Sequence, residues 1–161
     1  MNCSNKLHLR IRLLLILFIV GLIVSGLSAF PLETELRWLT QFCTSGTSLA
    51  CHWLSKCYHA LQDVNARYPF LAYGTDWLAF AHLVIAVAFI GPLMNPFRNI
   101  WVIQFGMIAC VSVIPLALIA GHIRGIPFFW QMIDCSFGFL GIIPLWLCHR
   151  YIRQLETAQT F

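Results

Sequence analysis

The sequence predicts an all-α integral membrane protein: a four-helix bundle with a short extracytoplasmic helical hairpin between its first and second spans. Apolar residues make up 60% of the 161-residue chain and charged residues 10%, against roughly 45–50% and about 25% in soluble domains. Four stretches, at about 11–30, 77–94, 100–120 and 126–148, are almost free of charge, and a hydrocarbon core of about 30 Å calls for about 20 such residues per helix. Lysine and arginine then gather beside alternate span ends. Four spans and one insert leave no room for a second hydrophobic core, so residues 1–161 read as a single four-span membrane domain.

The apolar run of the first span, Leu13–Phe30, follows Lys6, Arg10 and Arg12, a start that also suits a cleavable signal peptide. Its apolar run is about 18 residues, longer than the 7–15 of a signal core. The run Gly26-Leu27-Ser28-Ala29 puts Leu27 where a cleavage site wants a small residue. The expectation is an uncleaved anchor; cleavage would leave three spans and an outside N-terminus.

Residues 31–75 form the one sizeable polar segment. Leu32, Leu36, Leu39 and Cys43 recur at helical spacing behind Pro31, and Glu33 and Glu35 suit a helix N-terminus. The polar run 44–48 then breaks the pattern. A second helix places Leu49, Trp53, Cys57, Ala60 and Val64 on one face and His52, Lys56, His59 and Asp63 on another, and ends before Tyr68-Pro69. Two amphipathic helices of this kind suit the outer membrane surface.

Cys43, Cys51 and Cys57 fall in this segment, where an oxidising compartment permits a disulfide. On one straight helix Cys43 and Cys51 would stand about 12 Å apart, beyond the reach of a bridge. A hairpin at Gly46 would bring them together, so Cys43 and Cys51 can form a disulfide with Cys57 left as a free thiol or an intermolecular bond; three packed apolar thiols are the alternative. No Cys-x-x-Cys spacing occurs, so a thioredoxin-like or zinc-ribbon role has no support.

The second to fourth spans carry Trp77, Trp101, Trp130 and Trp146 near their ends, where an aromatic belt belongs. Pro92, Pro115 and Pro144 each free a backbone carbonyl and predict kinks. Gly21 with Ser25, Gly106 with Cys110, and Ser136 with Gly138 and Gly141 offer faces for close helix approach. Orientation follows from the basic residues. Lys6, Arg10, Arg12, Arg98, Arg150 and Arg153 all fall on one side if the chain crosses four times, and that bias marks the cytoplasmic face. Both termini are therefore expected in the cytoplasm, in an inner or plasma membrane.

One polar constellation stands out. His82 and Asp134 lie at similar depths inside the second and fourth spans, with Asp76, His122 and Arg124 near the same ends. An ionisable residue in a span costs about 2.5–3.5 kcal/mol at the centre and needs a partner. Asp134 paired with His82 or Arg124 would fix helix rotation. Asp76, His82, His122 and Asp134 together would suit a metal or proton-handling site. A third use is binding a polar ligand or lipid head group. No catalytic set and no cofactor motif is legible: there is no phosphate-cradling glycine loop, serine elbow or His-Glu-x-x-His pattern.

The net charge of +4 is spread in small groups beside the spans, which is a topology signal and not a nucleic-acid surface. The expected partners are the lipid bilayer and a membrane-protein partner or further copies of this chain. The expected role is an accessory, assembly or scaffold subunit or homo-oligomer, more in keeping with a non-enzyme. The alternative is a small transporter or a metal- or proton-handling membrane enzyme using the His82 and Asp134 cluster.

Overall fold

A computed structural model describes residues 3–43 and 48–159. Among them every regular element is helical: α1 Cys3–Ser28, α2 Leu32–Gln41, α3 Leu49–Arg67, a 3-10 turn Pro69–Leu71, α4 Ala72–Ala88, α5 Ile90–Met94, α6 Ile100–Ile123 and α7 Phe128–Gln159. Four helical stretches are long and apolar enough to cross a membrane: Asn5–Ser28, Pro69–Met94, Ile100–Ile123 and Phe128–Thr157. The second starts earlier and the fourth runs further than the apolar tracts in the sequence. A helix stops where its end groups find other partners, not where hydrocarbon stops.

The chain divides into two compact units, one of Met1–Gly21 with Ala86–Phe161 and one of Leu22–Ile85. In the first, α6 and α7 lie antiparallel at close range because glycine lets their backbones meet. A Cβ at Gly138 would stand 2.5 Å from the Cys110 carbonyl oxygen, and one at Gly106 would stand 2.8 Å from Leu145 Cδ1 of α7. The turn joining them is a Schellman cap. Ile126 N–H donates to Gly121 O at 2.9 Å and Gly125 N–H to His122 O at 3.1 Å. Gly125 takes φ +67°, a left-handed conformation that costs other residues more.

Against this pair packs the start of α1. Ile11, Leu15, Phe89, Ile103, Leu145, Cys148 and Ile152 are fully buried, and the Phe18 and Phe89 rings sit 4.7 Å apart between centroids. Pro92 acts locally. Its ring clashes with the carbonyl four residues back, which is that of Ala88, and α4 ends there before α5 resumes at Ile90. By contrast α6 and α7 continue as helix through Pro115 and Pro144.

In the second unit α2 and α3 run antiparallel side by side. Asn65 Nδ2 donates to Glu33 Oε2 at 2.7 Å near one end, and the Cα atoms of Cys43 and Cys51 are 5.5 Å apart at the other, with the two sulfurs bonded. The connecting residues 44–47, and with them the expected hairpin at Gly46, lie outside the described residues. The end of α1 and the middle of α4 approach closely where Gly26 leaves room. A Cβ there would meet Ala79 O at 3.0 Å and His82 Cβ at 3.1 Å.

Candidate functional site

The polar residues read from the sequence occupy distinct settings. Asp76 and His82 are both on α4 in the second unit, separated by six residues or about 9 Å of helix rise. His82 Nδ1 lies 2.8 Å from the Leu78 carbonyl oxygen one turn earlier. Since a carbonyl only accepts, this bond needs the proton on Nδ1 and leaves Nε2 for any other partner. His122 and Asp134 belong to the first unit. His122 is exposed in the last turn of α6, and Asp134 is half-buried on α7 with no hydrogen bond or ion pair to another described residue of its unit. Among the described residues no three His, Cys, Asp or Glu side chains are placed to share a metal ion.

Asp76 does belong to a cavity. Together with Glu33, Thr34, Asn65, Thr75 and apolar neighbours it lines a space of about 210 Å³ in the second unit. The start of α2 brings Glu33, the last turn of α3 brings Asn65, and the start of α4 brings Thr75 and Asp76. The Glu33 carboxylate is held by Asn65, Thr75 Oγ1 donates to Ala72 O at 2.6 Å, and Asn65 Oδ1 is buried without a partner. Two carboxylates and an amide oxygen make an acceptor-rich lining. The sequence shows Glu33 only as a favourable helix-start acid. Its bond to Asn65, 32 residues away, leaves no local signal.

The α2 and α3 pair carries the cysteine chemistry. Cys57 is unbridged and half-buried on α3. Burial pushes its thiol above the ordinary range, and the neighbouring Lys56 ammonium pulls part of the way back. Lys56 also sits 5.7 Å from the Trp53 ring centroid. The same pair also exposes large apolar side chains: Trp38 is 65% exposed, Phe42 70% and Leu49 79%. Trp38 and Phe42 meet edge to face at 5.5 Å.

Sequence reasoning passed over Gln131, which is 6% exposed at the start of α7. Its Nε2 donates to Ile126 O at 2.8 Å, and its stem fills the space beside Gly121, where a Cβ would stand 2.8 Å from Gln131 Cγ. The one signal available was an amide within an otherwise apolar tract directly after Pro127. Compared with protein-family models, with curated proteins and with solved structures, the chain finds no match.

Proposed function

We propose that this chain is an accessory, assembly or scaffold subunit of a membrane complex, or a homo-oligomer, in an inner or plasma membrane. Its four bilayer-length helices then form a four-span bundle with both termini cytoplasmic and the α2–α3 hairpin outside. One observation carries the reading. Trp38 and Phe42, in ring contact on α2, are exposed together with Leu39 and with Leu49 at the start of α3, and exposed large apolar side chains of that kind mark an interaction site. An aromatic pair is a suitable anchor, since interface energy concentrates in such residues.

Purification of the full chain in mild detergent, with mass measurement of the assembly, tests the proposal. The expected result is a discrete homo-oligomer or a stoichiometric partner, lost on Trp38→Ser with Phe42→Ser while helicity is kept, because both side chains are exposed. A monomer unchanged by the double substitution would refute it. Stoichiometric bound metal that disappears in Asp134→Asn would select instead the metal- or proton-handling reading built on Asp76, His82, His122 and Asp134.

A further inference from the structure

The first unit has a cavity of about 250 Å³ lined by His8, Ile11 and Arg12 of α1 and by residues 92–97, which form the end of α5 and the start of its connection to α6. We infer that it binds the phosphate group of an anionic membrane lipid, with Arg12 as countercharge and His8 and Asn95 as further polar partners.

The charge balance comes first. This unit holds seven lysines and arginines, while its acids are Asp134 and Glu156 alone. Glu156 is engaged with Arg153 at 3.2 Å, and no carboxylate lines the cavity. Arg12 therefore faces the space uncompensated. His8 and Arg12 are four residues apart on a helix, so both side chains reach the same face.

The opposite wall is built to keep its shape. Asn99 Nδ2 donates to Gly91 O at 3.1 Å and to Asn95 O at 3.0 Å, and Asn95 Oδ1 accepts the Arg98 N–H at 3.1 Å. Pro92 and Pro96 stiffen the same turn, and the Phe97 ring stands 6.0 Å from His8 in an edge arrangement. A preformed wall spares the ordering cost of binding. The volume is below the roughly 300–1,000 Å³ of drug-sized pockets, which suits a phosphate and a few attached atoms.

The same phosphate chemistry exists on soluble ligands, and α1 decides between the sources. Beyond Arg12 its outward side chains are apolar, with Leu13 57%, Ile16 45%, Leu17 63% and Val20 49% exposed, along a helix long and apolar enough to cross a membrane. A cationic pocket at the polar start of such a helix gives a phosphate one environment and its acyl chains another. Basic pockets at the polar ends of membrane helices recognise lipid head groups by this division.

The test uses the full chain in mild detergent with phosphatidylglycerol, phosphatidylcholine or inorganic phosphate, read by lipid retention in native mass spectrometry and by thermal shift. Phosphatidylglycerol is expected to be retained and to stabilise, and phosphatidylcholine not. Arg12→Gln is expected to weaken retention about fivefold, the effect of one cation near a lipid surface, while Arg153→Gln leaves it unchanged. Equal losses in both variants would overturn the site in favour of diffuse attraction. Protection by inorganic phosphate equal to that by the lipid would overturn the lipid assignment. Should Arg12→Gln not fold, a photoactivatable phosphatidylglycerol decides on the unaltered chain: cross-links at residues 8–13 or 92–97 support the site, and cross-links only elsewhere refute it.

Discussion

Cys57 shows how much a single half-buried group can report. Its thiol is raised by burial and only partly relieved by Lys56, so at any given pH it holds less thiolate than an ordinary cysteine of pKa about 8.5. Since the thiolate is the nucleophile, alkylation of Cys57 in folded, non-reduced protein should be slow at pH 7. It should rise with pH and reach half its maximum above the usual thiol range. Lys56→Gln removes the one lowering influence and should slow the reaction further. Peptide mass spectrometry after timed alkylation measures this, and the same digest should show Cys43 and Cys51 modified only after reduction. A Cys57 that reacts like a free thiol would mean that α3 does not bury it in solution. At this scale the sequence is legible where chemistry breaks a pattern. Asp134 and His82 stand out because a polar group in an apolar run is conspicuous, whereas Gln131 looks like one more helix residue until the Ile126 carbonyl is found beside it.

Between elements, glycines of one composition play opposite parts. A Cβ at Gly138 would lie 2.5 Å from a backbone oxygen of the facing helix, while one at Gly21 would meet nothing within 4 Å. Gly138→Leu should therefore destabilise the α6–α7 pair by about 1–3 kcal/mol or more, the range for overpacking. Gly21→Leu should leave the folded chain unchanged, and if the face of α1 is covered in an assembly it should reduce association alone. Thermal melts of the two variants in detergent, with their masses, separate the effects. The sequence marks both as small residues without saying which one a neighbour needs, because that depends on helix rotation. Prolines behave in the same way. Pro92, Pro115 and Pro144 look equivalent, yet of the three helices only the one carrying Pro92 is interrupted, just before it, where the chain also turns through residues 95–99 bound together by Asn95 and Asn99.

For the whole molecule the basic bias gives a direct test. Alkaline phosphatase joined near Lys56 should be active, and joined after Phe161 inactive; the reverse pattern would invert the proposed orientation. Span number is legible because each bilayer-length helix must carry its own apolar tract, but the arrangement of spans is not, since packing uses contacts far apart in sequence. Those contacts also impose a timetable. Gly141 and Cys148 of α7 supply part of the seat of α1, against Phe18 and the Ile11 carbonyl. At about 5–20 residues per second of synthesis, the first helix waits on the order of ten seconds in the bilayer before that seat exists. During that interval its Arg12 and exposed leucines have only lipid or an insertion chaperone for company. A ribosome stalled before α7 would leave α1 as an orphan helix, open to membrane quality-control proteolysis.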